Sequence, residues 1–274
     1  MIDMQKKLSE GGALYADLLK KTLTNWIHGH EEWSQVELSG RRARLAKWLL
    51  PSDAFLVKPS LFDANKRELG QDWPEVAHTM IGLKRLNNLQ FCIEQVVADD
   101  IPGDFIETGV WRGGSVIFMR GMLKALGATD RSVWVADSFE GLPKPNADKY
   151  PADTGDTHHV YDFLRVSLES VQQNFAAYGL LDDQVRFLKG WFKDTLPMAP
   201  IERLAILRLD GDMYESTMDA LNNLYSKLSV GGYVIVDDYC IPNCEKAITD
   251  FRKQHGIMDE IIPIDGTGVF WRRC

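Results

Sequence analysis

The sequence is poor in cysteine. Four cysteines occur in 274 residues, at positions 92, 240, 244 and 274. Cys240 and Cys244 would supply half of a zinc site, but no second Cys/His pair at a suitable spacing completes it. Isolated, reduced thiols are therefore the preferred interpretation, and they fit a cytoplasmic protein.

Long apolar runs and basic segments are also missing. No apolar run approaches the roughly 20 residues of a membrane span, and residues 1–21 contain no apolar signal-peptide core. The net charge is −8, without a basic run or a basic–aromatic stripe, which argues against a nucleic-acid partner. Apolar residues make up 45% of the chain, enough for a large α/β domain with a sizeable core.

Two short apolar runs, 204–209 and 233–236, end abruptly in carboxylates. Runs of this kind are typical of strands buried on both faces of a parallel sheet, where ligands bind beyond the carboxyl ends of the strands. The acids that follow the runs are Asp210, Asp212, Asp237 and Asp238. If the strands are neighbours, these acids repel one another, and a bound cation is the simplest remedy. Helix capping alone would explain one carboxylate at each place, not two.

The remaining pattern predicts strands that alternate with helices. Strands are predicted at 105–106, 133–136, 185–188, 204–209 and 233–236, with a hairpin at 261–271. Helices are predicted from Trp73-Pro74-Glu75 to Val97, at 116–126, from Phe163 to Phe175, at 214–228 and at 241–255. Such alternation implies a doubly wound, mostly parallel sheet.

Two further stretches stand apart from this pattern. In residues 1–60 an apolar stripe of Leu14, Leu18, Leu19, Leu23 and Trp26 predicts a helical appendage that packs on its own domain, caps an active site or forms a dimer. Residues 140–159 form a long loop, and loops of this length are often functional.

A glycine-rich turn follows the first strand of the sheet. Gly109, Gly113 and Gly114 let the backbone turn tightly, but their spacing departs from the dinucleotide fingerprint and Glu107 precedes them. An acid there disfavours a pyrophosphate and favours a ligand with an ammonium group, such as S-adenosylmethionine. Asp137, at the next strand end, can accept from two ribose hydroxyls. Trp191 and Phe192, beyond the third strand, would form an aromatic wall for a purine.

The acidic cluster suits Mg²⁺, which binds hard oxygen ligands and keeps open positions for substrate oxygens. In a methyl transfer such an ion would orient a substrate hydroxyl and stabilise alkoxide charge. Asp212 would then be the base, because it can face that hydroxyl without being a ligand. His158 and His159 lie in the long loop, where a contact with substrate and a bystander role are both open.

The chain resembles the macrocin O-methyltransferase family over roughly residues 70–274. The resemblance is carried by Asp72-Trp73-Pro74, His78-Thr79-Met80-Ile81-Gly82, Arg85-Leu86-Asn87-Asn88-Leu89, residues 105–114, Ala136-Asp137-Ser138-Phe139-Glu140-Gly141-Leu142-Pro143, Leu209-Asp210-Gly211-Asp212-Met213-Tyr214-Glu215-Ser216-Thr217 and Val236-Asp237-Asp238-Tyr239. Members of the family use S-adenosylmethionine and Mg²⁺ to methylate sugar hydroxyls of antibiotic glycosides.

The resemblance implies roles for individual residues. Asp210, Asp237 and Asp238 would be the Mg²⁺ ligands and Asp212 the general base. The residues implied around the cofactor are Thr79, Met80, Glu107, Thr108, Gly109, Val110, Arg112, Gly113, Ser115, Asp137, Ser138, Phe139, Ser167, Trp191 and Phe192, with Ser167 reaching the adenine. Physical reasoning alone would have placed Thr79 and Met80 on a helix face.

The expected fold is that of a class I methyltransferase: an α/β, doubly wound, seven-stranded sheet whose last strand is antiparallel. Residues 1–70 would form a helical lid and residues 71–274 the methyltransferase domain, in a cytoplasmic homodimer. The expected reaction is methylation of a sugar hydroxyl, with a vicinal diol as the acceptor. One alternative is a Mg²⁺-dependent catechol or phenol O-methyltransferase. The other is a non-catalytic nucleoside-binding protein, in which Asp212 and the metal cluster would have no role.

Overall fold

The structure is a computed structural model that describes residues 7–36, 38–51, 54–72 and 74–274. Its helices are α1 (Glu10–Leu23), α2 (Gly40–Leu49), α3 (Ala64–Leu69), α4 (Leu83–Ala98), α5 (Gly114–Ala125), α6 (Leu168–Ala177), α7 (Phe192–Thr195), α8 (Tyr214–Leu224) and α9 (Pro242–His255). Its strands are β1 (Trp33–Gln35), β2 (Val57–Pro59), β3 (Asp104–Thr108), β4 (Val133–Asp137), β5 (Val185–Lys189), β6 (Leu204–Leu209), β7 (Leu228–Val236), β8 (Ile262–Pro263) and β9 (Val269–Arg272).

The main sheet has seven strands in the order β5-β4-β3-β6-β7-β9-β8. Strands β3 to β7 pair in parallel, and β9 runs antiparallel to β7. The doubly wound sheet with an antiparallel last strand is thus confirmed. Strand β7 begins five residues before its predicted start, because Gly231 and Gly232 resemble a loop in sequence yet lie inside the strand. The register against β6 shifts at this place.

Apolar side chains cover the sheet on both faces. One cluster joins Leu86 of α4 and Ile117 of α5 to Phe105 of β3, and all three are fully buried. The other joins Leu221 of α8 to Leu207 of β6, with Trp271 of β9 closing its edge. Because both faces are covered, β6 is buried at every position. Its apolar run therefore ends at the carboxyl end of the strand, where Asp210 follows.

Helix α1 packs on the sheet domain through only part of the predicted stripe. Leu19 and Leu23 are buried, but Leu14 and Leu18 are 68% and 55% exposed. The contact depends on Gly121 of α5, where an added Cβ would lie 2.4 Å from Leu19 Cδ2. The close approach of the two helices selects the buried face, and part of the predicted stripe faces outward.

The predicted helix start at Pro74 is wrong, and Trp73 lies outside the described residues. Residues 74–82 are not helical, and α4 begins at Leu83. Arg112 donates to the carbonyls of Glu75 and Ala77, both at 2.8 Å. These hydrogen bonds from a distant residue give the two carbonyls partners without a helix. They therefore outweigh the local preference of Pro74 for the first turn of a helix. Among the described residues, no helix is long and apolar enough to cross a membrane.

The helix predicted from Phe163 also starts later than expected. Phe163 and Leu164 lie in a short 3₁₀ turn, and α6 begins only at Leu168. The Ser167 hydroxyl accepts from the Ser170 amide at 3.2 Å and caps α6.

Candidate active site

The acids of the two predicted runs meet at one edge of the sheet. Strands β6 and β7 pair with Leu209 opposite Val236, so Asp210 and Asp237 leave the sheet side by side. One carboxylate oxygen from each of Asp210, Asp237 and Asp238 lies within 4.8 Å of the other two. The acids are therefore close enough to share one cation, and they offer the hard oxygen ligands that Mg²⁺ prefers.

Burial and repulsion by neighbouring acids raise the pKa values of Asp210 and Asp238. Burial, followed by the charge of Asp237, raises the pKa of Asp210 to about 6. Burial and the charge of Asp212 raise the pKa of Asp238 well above its usual range. The carboxylates therefore attract positive charge, whether a proton or a metal ion.

Asp212 occupies a strained turn beside this cluster. Its φ angle is +57°, in the left-handed region, and its amide donates to Asp238 Oδ2 at 3.0 Å. Burial raises the pKa of its carboxyl to about 7, and the charge of Asp210 acts in the same direction while His158 opposes it. A strained residue held at a site of crowded charge is typical of a functional position.

Two buried arginines partly neutralise the acids, a contribution that the sequence-based prediction of a bound cation did not include. Arg208, 1% exposed, forms ion pairs with Glu107 and Asp237 and donates to Asp210 at 2.7 Å. Arg85 pairs with Asp237 and donates to Asp265 at 2.8 Å. Sequence reasoning assigned no role to these arginines. A charged residue inside the apolar run of β6 was the signal that marked Arg208, because such a residue is rarely buried unpaired.

The glycine-rich turn lies against the carboxylate cluster. Gly109 has a φ angle of +90°, and a Cβ added there would lie 1.7 Å from the Asp210 carbonyl oxygen. Glu107, fully buried below the turn, accepts from Ser115 and Arg208 through Oε1, whereas Oε2 is buried without a hydrogen-bond partner. Burial raises the pKa of Glu107 to about 7 despite the opposing charge of Arg208. A buried acid at this place favours positive charge near the turn.

Substitution of Gly109 by alanine is expected to destabilise the protein by at least about 3 kcal/mol, because it combines a positive φ angle with an unavoidable backbone clash. The matched control is Gly127→Ala, at a φ angle of +65° with nothing within 4 Å of the new Cβ. That change is expected to cost about 1 kcal/mol. Urea denaturation measures both, and equal losses would contradict the close approach of the turn to Asp210.

Asp137 holds the glycine-rich turn in place. Its carboxylate accepts from the amides of Val110 and Phe139, each at 2.7 Å. The acid predicted for the ribose is thus already engaged by backbone donors, although it still faces a cavity. Each carboxylate oxygen can accept more than one hydrogen bond, so both tasks are compatible.

Two adjoining cavities run along this edge of the sheet. The first, the glycine-turn cavity, is lined by Met80, Gly109, Asp137, Ser138, Trp191 and Phe192 among the predicted residues. The second, the carboxylate cavity, has a volume of about 380 Å³ and is lined by Thr79, Met80, Val110, Ser115, Asp210, Asp212, Asp237 and Asp238 among the predicted residues. Met80, Asp210 and Asp212 line both cavities and mark where they meet.

Thr79 reaches its cavity because α5 begins with a glycine. The Gly114 amide donates to the His78 carbonyl at 2.9 Å, and a Cβ on Gly114 would lie 2.5 Å from the Thr79 side chain. Segment 78–80 therefore packs directly on the N-terminus of α5.

The other predicted cofactor residues do not line either cavity within the described part of the chain. They are Glu107, Thr108, Arg112, Gly113, Phe139 and Ser167. Glu107 lies beneath the turn, and Ser167 is exposed at the start of α6. Several lining residues were not predicted from the sequence: Tyr161, Leu164, Lys193, Cys240, Ile241 and Thr267. Most of them lie in loops, where no periodic pattern of apolar residues shows which side chains face the cavity.

The long loop is anchored to the helix that follows Asp212. Asp153 is fully buried, and its two oxygens accept from the amides of Tyr214 and Glu215 at 2.7 and 3.0 Å. The acid thus caps α8 from a distant part of the sequence. The anchored loop places His158 on the wall of the carboxylate cavity. The histidine left open by the sequence therefore lies at the site.

The sheet order and the acid-ended strands are those of class I methyltransferases. The solved O-methyltransferase NovP is 48% identical, with a TM-score of 0.83 over 96% of this chain and 99% of its own. The calicheamicin methyltransferase CalS11, at 17% identity and a TM-score of 0.56 over 97% of this chain and 94% of its own, shares the fold.

The chain belongs to the macrocin-O-methyltransferase (TylF) family, whose model matches residues 12–273. The family predicted from the sequence is thus confirmed, and the protein is an O-methyltransferase. The mycinamicin III 3''-O-methyltransferase of Micromonospora griseorubida is 53% identical over 97% of this chain and 98% of its own length. A rhamnosyl-tetracenomycin C 4'-O-methyltransferase of Streptomyces olivaceus is 56% identical over 94% of this chain and 92% of its own length.

Proposed function

We propose that the protein transfers a methyl group from S-adenosylmethionine to a sugar hydroxyl of a glycosylated natural product, with Mg²⁺ as a second cofactor. The observation that carries this proposal is the meeting of three carboxylates, within 4.8 Å of one another, with Asp212 at the junction of two cavities. One cavity is fitted to a methyl donor and the other to a metal-bound acceptor.

The residues around the glycine turn fit the methyl donor. Glu107, buried beneath the turn and outside both cavities, favours a positively charged donor near the turn through its charge and not through direct contact. Asp137 and Ser138 would bind ribose hydroxyls, and Trp191 and Phe192 would pack on the adenine; all four line the same cavity. When bound, S-adenosylmethionine supplies the electrophilic methyl group. The chain's own contribution is to hold that group beside the carboxylates.

The carboxylate cluster fits a divalent cation. Asp210, Asp237 and Asp238 would hold it, since burial and mutual repulsion raise the pKa of Asp210 and of Asp238. A bound Mg²⁺ would supply Lewis-acid stabilisation of a substrate oxygen. Asp212, held through its amide on Asp238, would accept the proton of the acceptor hydroxyl.

The acceptor class follows from the relatives, two of which are named for the methylation of glycosylated compounds. The competing candidate is a catechol or phenol acceptor, which the Mg²⁺ chemistry alone would also permit. A turnover assay with mycinamicin III, 8-demethyl-8-(2,3-dimethoxy-α-L-rhamnosyl)-tetracenomycin C and catechol distinguishes the two. Methylation of a glycoside is the expected result, and methylation of catechol alone would reject the sugar acceptor.

Removal of divalent metal is expected to abolish turnover and to leave the binding of S-adenosylhomocysteine within about threefold of its original affinity, because the residues that would hold the ion are not those proposed to bind the methyl donor. Turnover is measured after treatment with a chelator, and again after addition of Mg²⁺. The affinity is measured by calorimetry. Persistent turnover in fully metal-free protein would contradict the proposed role of the cluster.

The N-terminal segment, the assembly and the location are also proposals. Residues 1–70 would act as a lid, supported by the position of Gly70 on the carboxylate cavity. The exposed Leu14 and Leu18 of α1 support a homodimer. The four free cysteines support a cytoplasmic location. Light scattering in solution tests the dimer, and a monomeric mass would reject it.

A further inference from the structure

One histidine of the long loop lies on the carboxylate cavity and is held by a buried acid. His158 lines this cavity together with Asp210 and Asp212. Asp156, whose side chain is 3% exposed, accepts from the His158 amide through Oδ1 at 2.9 Å. Its other oxygen, Oδ2, lies 2.8 Å from the ring nitrogen Nδ1 of His158. The catalytic roles assigned above use neither residue.

The contact with Asp156 determines which ring nitrogen carries the proton. A carboxylate oxygen only accepts, so Nδ1 of His158 must be the donor in this pair. In the neutral ring the other nitrogen, Nε2, is then a hydrogen-bond acceptor. Asp156 thus fixes both the orientation of the ring and its tautomer.

The pair is fixed relative to the acids of the site. Asp153, three residues before Asp156, caps α8, which begins just after Asp212. Asp156 also accepts through Oδ2 from the side-chain nitrogen Nδ2 of Asn243 at 3.5 Å, and Asn243 lies in α9, which follows Asp238. The histidine is therefore held against the two helices that follow the catalytic turns.

The acids beside His158 on the cavity wall favour a ligand that donates hydrogen bonds. The carboxylates of Asp212 and Asp238 accept, as does Nε2 of a neutral His158. Arg85, also on the wall, already donates to Asp265 and pairs with Asp237. A ligand rich in hydroxyl groups meets this requirement, whereas an anionic one does not.

We propose that His158 is an acceptor-binding residue whose Nε2 accepts a hydrogen bond from a hydroxyl of the sugar, and that Asp156 is the positioning residue that fixes its tautomer. The inference rests on the proposed function, since the hydroxyl belongs to the proposed acceptor. It adds a specificity element that is separate from the cluster and from Asp212.

The test is a mutant cycle measured with the glycoside that the unaltered enzyme methylates in the panel above. Asp156→Asn and His158→Ala are each expected to lower kcat/KM by about 10- to 100-fold, chiefly through KM. The double variant is expected to fall no further than His158→Ala, because both changes remove one contact. Affinity for S-adenosylhomocysteine, measured by calorimetry, is expected to stay within about twofold of the original.

A conservative variant keeps the test valid if Asp156→Asn folds poorly. Glutamine at position 158 retains an acceptor oxygen without requiring Asp156, so His158→Gln is expected to recover part of the activity lost in His158→Ala. The matched control is His159→Ala, since His159 is the neighbouring histidine and lies off the cavity walls in the described chain. Its kcat/KM is expected to stay within about twofold.

Three results would overturn the inference. They are an unchanged kcat/KM in His158→Ala, losses that multiply in the double variant, and no recovery in His158→Gln. If the unaltered enzyme methylates no glycoside, the proposed function fails and the inference with it. Normal turnover of a glycoside with unaffected variants rejects the inference alone.

Discussion

Substitution of Asp212 by asparagine is expected to lower kcat by about 10²- to 10⁴-fold, the usual contribution of a general base. Asparagine has the same shape but cannot take the proton of the acceptor hydroxyl. The Asp212 amide, which donates to Asp238, is retained in the variant. The turn should therefore keep its conformation, and affinity for S-adenosylhomocysteine should remain near its original value.

Steady-state kinetics and calorimetry measure the two quantities separately. The matched control is Asp130→Asn, an exposed acid ahead of β4, at the opposite edge of the sheet, where kcat should change by less than about twofold. An unchanged kcat in Asp212→Asn would remove Asp212 from the role of base. A large loss of affinity for S-adenosylhomocysteine would instead indicate that the turn had collapsed.

Replacement of Arg208 by methionine is expected to lower the free energy of unfolding by about 3–5 kcal/mol. The guanidinium is 1% exposed and is the shared partner of Glu107, Asp210 and Asp237. Methionine fills much of the volume, but it leaves buried acids that lack compensating charge. The loss follows from these unpaired acids, not from a cavity.

Urea denaturation, monitored by fluorescence, measures this change in stability. Adding Glu107→Gln to Arg208→Met is expected to restore part of the lost stability, because one of the unpaired charges is then removed. The matched control is Arg203→Met, an exposed arginine just before β6, with an expected change within about 0.5 kcal/mol. Similar losses in the two single variants would contradict the ion-pair account.

The sequence predicted best where a local pattern coincides with the global fold. The run Leu204–Leu209 is a strand with the predicted ends, since apolar residues give way to Asp210 at the edge of the sheet. The parallel pairing of β6 and β7 then follows from their order along the chain. The pairing alone is enough to predict that the acids that follow the two strands lie close together.

Contacts between distant residues account for what the sequence did not predict. Arg208 pairs with Glu107, 101 positions away, and Arg85 pairs with Asp237 across 152 positions. No local pattern in the sequence indicates partners that are so far apart along the chain. The false helix start at Pro74 has the same origin, because Arg112 satisfies the carbonyls of Glu75 and Ala77 from another element. His158 is likewise placed by loop anchors that only the folded chain reveals.

Arg208, on β6, joins three central strands through charge, since Glu107 lies on β3, Asp237 directly follows β7 and Asp210 directly follows β6. These cross-links belong to the polypeptide and require no ion. A newly synthesised chain can therefore complete its sheet before it meets a metal. On the proposed Mg²⁺ dependence, we expect a shortage of magnesium to lower the activity of the enzyme but not its abundance, so that the two respond to different signals.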